Sequence, residues 1–307
     1  MGFMHGTFDI GRYSVGRVIL APMAGYTDIA FREMCIGFGA GLTVTEMVSV
    51  RGIKYNNRAT EELMRLSPLE TPSCIQLFGN TPDDFSYAAD RIDCDIIDIN
   101  MGCPMPKITN NGDGSSLMKN PELAKSIVRA VADKGRTVTV KTRLGFDMGY
   151  NLADELVCAV IEGGASAVTV HGRYAAQRYA GESDYCSVKE ICRKNKNSVP
   201  IILSGDVDRS NLAKSLEDFP AVMIGRAALS DPTVFGCESV GPADIARRHI
   251  ELLAKYFDER YTVIQCRKFF VHYFNGRGVK KLRALVNSAT SVDEIKRAID
   301  CYEMGAL

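Results

Sequence analysis

Short apolar runs of four or five residues recur through the first part of the chain, at 18–21, 42–45, 73–77, 96–99, 137–140, 167–170, 200–203 and 221–224. Most are continuously apolar and do not alternate, the pattern of parallel strands covered on both faces. Helix-period segments lie between most of them. One opens at Asn120-Pro-Glu-Leu, with Pro at the first helical position. Another spans 152–162 and is closed by Gly163-Gly164. Eight strand–helix units predict an α/β fold, a (β/α)8 TIM barrel, for which ~250 residues is typical. A doubly wound sheet is the competing architecture. After Gly236 the period changes. Segments 243–257, 262–274, 279–286 and 291–302 carry helical spacing with no strand between them, and Asn275-Gly-Arg-Gly278 punctuates the second and third. The expected organisation is a catalytic barrel over 1–240 and a small all-helical domain over 241–307. A unit that small buries little by itself, so it is expected to dock on the barrel.

Composition refines this picture at three points. With 307 residues and 46% hydrophobic composition, the chain can bury a large core. Its formal net charge is zero, so the whole-chain balance carries no sign of nucleic acid. The distribution does. From 243 onward there are twelve basic and eight acidic residues, and 267–283 holds six basic residues and no acidic one. Ten cysteines occur without a C-x-x-C pair, which argues against a zinc or iron–sulfur site, and no metal is expected. No apolar run approaches the ~20 residues needed to cross a bilayer. Scattered thiols without a signal peptide fit a reducing cytoplasm.

Barrel chemistry sits at the carboxyl ends of the strands. Those ends read Pro22-Met23-Ala24, Glu46, Gln76, Asn100, Lys141 with Arg143, His171 with Arg173, Ser204-Gly205-Asp206, and Gly225-Arg226. Nearly every strand delivers a polar residue or a glycine at the same end, where polar groups must be solvated or paired. The last two sets follow the seventh and eighth strands, where barrels bind phosphate through backbone N–H groups. Glycine allows close approach there, and Arg226 can make a bidentate contact. Lys141 and His171 end adjacent strands and point to the middle of the same mouth. A cationic Lys beside a cofactor ring would stabilise a reduced, anionic form. The loop Asn100-Met-Gly-Cys103-Pro-Met-Pro-Lys107 presents a thiol on a stiff Gly/Pro frame, flanked by an amide and an ammonium.

Taken in order, these motifs resemble the tRNA-dihydrouridine synthases, flavin enzymes that reduce uridine in tRNA. The resemblance rests on Leu20-Ala-Pro-Met-Ala-Gly-Tyr-Thr-Asp28 with Phe31-Arg32, Thr45-Glu-Met47, Gln76-Leu-Phe-Gly79 and the Cys103 loop. It continues through Lys141-Thr-Arg-Leu-Gly145, His171-Gly-Arg173 with Gln177 and Tyr179, Gly205-Asp206 and Gly225-Arg226, and into the basic helical segment. Three places depart from the family pattern: Ser204 replaces an Asn, Ser183-Asp-Tyr185 replaces Ala-Asp-Trp, and Asp113 with two serines enters the stretch 112–116.

The resemblance implies FMN held by Pro22, Met23, Ala24, Gln76, Lys141, His171, Ser204, Gly205, Asp206, Gly225 and Arg226, with NADPH as reductant. It implies hydride transfer from FMN N5 to uracil C6 and a proton from Cys103 to C5. A thiol with a reference pKa near ~8.5 is largely protonated at neutral pH and can donate. Asn100 would read the uracil edge. Lys107, Arg143 and Arg173 would reach a uracil carbonyl or a phosphate, and Lys280 and Lys281 would hold the tRNA backbone. The expected partner is tRNA, with no membrane, and the chain is expected to act as a cytoplasmic monomer. Two other readings compete. One is an FMN barrel reducing a free pyrimidine, of the dihydroorotate or dihydropyrimidine type. The other is a flavin-free barrel that only binds RNA.

Overall fold

The computed structural model describes residues 4–236, 240–274 and 279–307. Nine strands form one sheet: β3 (Val18–Leu20), β4 (Leu42–Thr43), β5 (Val48–Ser49), β6 (Cys74–Phe78), β7 (Ile96–Asn100), β8 (Thr137–Gly145), β9 (Ala167–Tyr174), β10 (Ile201–Ser204) and β11 (Val222–Ile224). They run in the order β4-β3-β11-β10-β9-β8-β7-β6-β5, and every pairing is parallel. β4 and β5 are the two halves of one strand interrupted at 44–47, so the sheet closes on itself. The gap is bridged where Thr45 N–H donates to the Cys74 carbonyl, at 3.2 Å. This is the expected (β/α)8 TIM barrel, with helices on its outer face.

Alternation within the strands grades the barrel interior from apolar to polar. Near the amino ends, Ile19, Leu42, Cys74, Ile96, Ala167, Ile202 and Ala221 pack together. One or two inward positions further along, four of these strands carry Gln76, Asp98, Asn100, Thr169, His171 and Ser204, and β8 adds Thr139 and Lys141. A period of two places successive inward residues on one face. The interior is therefore sealed at one end and chemically equipped at the other.

The seal is completed by an antiparallel hairpin that the apolar-run reading missed, β1 (Thr7–Ile10) with β2 (Tyr13–Gly16). Its Ile10 and Val15 join the interior cluster. The turn passes through Gly11 at φ +57°, where a Cβ would press on Ser166 and Thr137. Tyr13 Oη donates to Asp95 at 3.2 Å, and Arg17 Nε donates to the Pro220 carbonyl at 2.7 Å. Both bonds fasten the hairpin to the amino-terminal rim.

Helices begin where the sequence signals them. Asn120 caps Pro121–Ala132 by accepting from Leu123 N–H, with Pro at the first position. Asp28 caps Ile29–Gly37 in the same way, accepting from Phe31 N–H at 2.9 Å. The chain then ends in four helices, Pro242–Tyr256, Glu259–Tyr273, Val279–Ser288 and Val292–Glu303. The expected turn at 275–278 lies outside the described residues. Phe31 of the barrel helix stacks on Phe269 at 5.1 Å, and His249 meets Phe269 edge-on at 4.5 Å. Lys255 Nζ reaches Glu33 at 2.6 Å. One continuous apolar cluster therefore runs from the outer face of the barrel into these helices. No helix among the described residues is long and apolar enough to cross a membrane.

Candidate active site

The polar ends of the strands open into a cavity of 1230 Å³. That exceeds the ~300–1,000 Å³ of an ordinary small-molecule pocket, so there is room for two bound groups side by side. Fourteen of the residues singled out from the sequence line it: Pro22, Met23, Ala24, Gln76, Asn100, Cys103, Lys141, Arg143, His171, Ser204, Gly205, Asp206, Gly225 and Arg226. Four do not. Lys107 is exposed on the short helix Pro106–Thr109, beside the cavity wall. Lys280 and Lys281 are exposed on Val279–Ser288. Arg173 is buried behind the wall.

Arg173 corrects its sequence reading. It was expected to reach uracil or phosphate, yet all five guanidinium donors are spent within the protein. Nη1 and Nη2 grip Asp206 at 2.9 and 2.6 Å. The others go to the Ala180 carbonyl at 3.3 Å, the Gly181 carbonyl at 2.5 Å and His171 Nε2 at 3.3 Å. An arginine can only donate, so His171 accepts at Nε2 and carries its proton on Nδ1. Burial, with Lys141, Arg143, Arg173 and Arg226 around it, holds that imidazole neutral, far below its ordinary range.

Asp206 is the hub of this side. It accepts from Arg173, from Arg226 Nη2 at 2.8 Å and from Ser183 N–H at 2.9 Å. Burial opposes its charge, but these donors outweigh that and lower its pKa. Gly205 and Asp206 both adopt positive φ, +106° and +52°. At Gly205 a Cβ would stand 2.5 Å from Ser183 Oγ and 2.7 Å from the His171 ring, so only glycine fits. Among the described residues, the N–H groups of Gly205, Gly225 and Arg226 find no protein acceptor. With the half-exposed Arg226 guanidinium, they form an open set of donors suited to an anion.

On the opposite wall, Cys103 is held by its backbone. Asn100 Oδ1 accepts from Cys103 N–H at 2.9 Å and Gly102 N–H at 3.2 Å. The Cys103 carbonyl accepts from Ser115 N–H at 3.1 Å, and Gly114 packs too close for any side chain. Burial raises the thiol pKa, opposed by the Met105 backbone N–H, Arg143 and Lys141. The thiol therefore stays protonated at neutral pH. Asn100 was expected to read a base edge with donor and acceptor. Its oxygen is fully used and its Nδ2 donates to Gln76 Oε1 at 2.9 Å, so one N–H remains to offer.

Between the two walls lie Lys141 and Arg143. Burial, and then the Arg143 charge, lower Lys141 to a pKa of about 8, with Asp98 and Cys103 pulling the other way. Arg143 is tied to the Gly102 carbonyl at 2.8 Å and the Arg178 carbonyl at 2.9 Å, keeping Nη2 for the cavity. Tyr179 stands exposed at the mouth, its ring 5.4 Å from Arg226 and 5.9 Å from Arg143.

Several lining residues were not identified as site residues from the sequence: Tyr26, Met47, Asp231 and His272 among them. His272 brings helix Glu259–Tyr273 to the cavity mouth, 5.7 Å edge-on to Tyr26. Lys268, one turn earlier, places Nζ 4.0 Å over the Tyr26 ring. Periodicity alone could have put Lys268 and His272 on one face, but not said where that face lies. The basic stretch also divides. Arg267 and Arg283 turn inward to the Ala289, Val271 and Phe274 carbonyls, Lys268 is half-buried against Tyr26, Lys280 and Lys281 are exposed, and Arg277 lies outside the described residues. Among the described residues, no cluster of His, Cys, Asp and Glu could hold a metal ion.

A parallel barrel with a donor-rich cradle on one wall and a presented thiol on the other defines a TIM-barrel enzyme working at the carboxyl ends of its strands. Residues 19–304 match the family model described as dihydrouridine synthase, and the chain belongs to that family of oxidoreductases. It is 34% identical over 297 residues to a probable tRNA-dihydrouridine synthase of Treponema pallidum, covering 87% of each chain. It is 31% identical to tRNA-dihydrouridine synthase B of Shewanella oneidensis, covering 96% of this chain and 98% of that one. Among solved structures, a variant of NCR from Zymomonas mobilis shares the fold. The TM-score is 0.53 at 14% identity, over 84% of this chain and 96% of the other.

Proposed function

We propose that the protein reduces uridine in tRNA to 5,6-dihydrouridine, with FMN bound in the cavity and NADPH as reductant. The observation that carries this reading is the pairing, in one cavity, of an anion cradle at Gly205, Gly225 and Arg226 with the protonated Cys103 thiol on the facing wall. The unsatisfied backbone donors beside Arg226 fit a phosphate. The clustered cations fit an electron-rich ring beside it. Bound there, FMN would supply the hydride for uracil C6.

The rest falls to the chain's own groups. Cys103 gives its proton to C5, and its raised pKa keeps that proton available. The remaining Asn100 N–H and the Arg143 Nη2 are offered to the uracil carbonyls. Lys141, protonated below about 8, stabilises negative charge developing between base and cofactor. Arg173 acts through Asp206, which aims Arg226 at the phosphate. Residues 1–240 form the catalytic unit in this reading, and 241–307 form the tRNA platform. The target uridine must be flipped out of the folded RNA into the mouth, at a cost of a few kcal/mol. Lys280 and Lys281 lie on an outward face of the platform and suit the flanking phosphates, while Lys268 stands beside Tyr26 at the mouth.

The test is NADPH-dependent dihydrouridine formation in undermodified tRNA, compared with turnover of free uracil or orotate, using wild type and Cys103→Ala. Wild type is expected to act on tRNA alone. Cys103→Ala is expected to keep its flavin and oxidise NADPH while losing tRNA reduction. Turnover confined to the free base would overturn the reading, and a colourless protein that cannot be reconstituted would favour an RNA-binding barrel.

A further inference from the structure

Asp98 lies inside the barrel, below the reacting groups, and is about 1% exposed. Its Oδ1 accepts from Thr139 Oγ1 at 2.6 Å, and its Oδ2 accepts from Gln76 Nε2 at 2.7 Å. Gln76 Oε1 in turn accepts from Asn100 Nδ2 at 2.9 Å, and Asn100 Oδ1 accepts from Cys103 N–H at 2.9 Å. Four bonds thus link the barrel interior to the backbone of the presented cysteine.

Neither amide can choose its orientation alone, because an amide side chain turned end for end makes an equally good partner. A backbone N–H at one end demands an acceptor from Asn100. A carboxylate at the other end, having no hydrogen to give, demands a donor from Gln76. Only one arrangement of both amides meets the two demands. We propose that Asp98 is a positioning residue. As an obligate acceptor, it fixes the orientation of the Gln76 and Asn100 amides, and with them the spare Asn100 N–H and the Cys103 loop. This rests on the reading of Cys103 as proton donor to the base.

Burial of a carboxylate costs free energy unless it is hydrogen-bonded, and Asp98 has two such bonds. Burial raises its pKa, while Gln76, Thr139 and the Lys141 charge on the neighbouring strand pull it down. Cys74, on the strand at its other side, is a fully buried thiol whose pKa is pushed well up, so it brings no charge. A polar relay of this depth has no structural need to end at Cys103. An apolar interior, like the layer formed by Ile96 and Ile202, would pack the barrel as well.

The experiment is a swap. Gln76→Glu sets an acceptor against Asp98, and the chain then holds only while the facing carboxyls share a proton. Single-turnover reduction of tRNA by the flavin-loaded variant is expected to fall roughly 30-fold at pH 8, with less loss at pH 6. The thermal midpoint of the flavin-free chain is expected to fall with it. Asp98→Asn combined with Gln76→Glu restores a donor facing an acceptor. That double variant is expected to recover to within about fivefold of wild type, in rate and in melting. A double variant no better than Gln76→Glu would mean that Gln76 matters only for its own contact with the cofactor, and would overturn the proposal. So would a Gln76→Glu enzyme with no loss. If Gln76→Glu alone does not fold, recovery of folded flavin-free protein in the double supports the pairing, and failure to recover it counts against. Cys103→Ala reports separately. Retained tRNA reduction there would remove the donor role while leaving the swap result readable.

Discussion

Replacing Arg173 by Met separates a residue that touches substrate from one that holds the site. The substitution keeps an unbranched side chain of useful length but removes all five donors. Asp206 loses two bonds, of 2.9 and 2.6 Å, from a partner whose side chain is only 2% exposed. Breaking a buried pair costs ~3–5 kcal/mol. Here the Asp206 side chain is 37% exposed and keeps Arg226 and Ser183 N–H, so the lower end applies, about 3 kcal/mol. The Ala180 and Gly181 carbonyls lie in an exposed stretch and can turn to water. For a chain of this length, that loss corresponds to a midpoint roughly 5 °C lower in thermal unfolding. Arg226 would lose its fixed aim with Asp206, so flavin affinity should weaken alongside. The assay is thermal unfolding with flavin titration, set against tRNA binding over a range of salt. The expected result is a lower midpoint and weaker flavin binding, with the salt dependence of tRNA binding unchanged. A variant that melts like wild type, holds flavin as tightly and loses only tRNA affinity would refute the reasoning. It would return Arg173 to the substrate-contact role that its place beside His171 suggests in sequence.

Two further outcomes follow from the charges at the site. Lys141 has a lowered pKa of about 8, so its charge is complete below that pH and is lost as pH rises through it. Single-turnover tRNA reduction should show an alkaline limb at about 8 or above, since a bound anion moves it upward; a rate still flat at pH 10 would exclude the charged lysine from the reaction. Reversing the exposed Lys280 and Lys281 to Glu should weaken tRNA binding and flatten its dependence on salt, by about one unit of log–log slope for each phosphate that is no longer neutralised. Neither ammonium is paired among the described residues, so stability should stay within ~0.5 kcal/mol of wild type, and an unchanged slope would move the RNA platform elsewhere.

Much of this was legible in the chain because parallel strands announce themselves as apolar runs and a barrel puts its chemistry at one end of each run. That logic located Gln76, Asn100, Lys141, His171, Ser204 and Gly225 in one cavity from separated segments. It failed where the deciding partner lies far away in sequence. Arg173 sits two residues from His171 and so shares its face, but its true partner is Asp206, on the next strand's loop. Asn100 looks like a free amide until Gln76 and Cys103 are brought to its two ends. The hairpin at 7–16 alternates too briefly for its pattern to stand out, and its signal was the Gly11-Arg12 turn between two four-residue strands. The basic run at 267–283 reads as one feature in sequence, but helical geometry divides it. Arg267 and Arg283 fall on inward-turned sides and tie backbone carbonyls, so fewer cations face solvent than the run suggests.

The hairpin at the amino-terminal rim has a consequence for access. With Ile10 and Val15 packed into the amino-end layer, the described residues close that end of the barrel and leave the cavity open at the carboxyl ends of the strands. Under the proposed activity, the reductant and the RNA would therefore both approach through that mouth. A few residues at the opposite end of the barrel would thus help decide the side from which both reactants arrive.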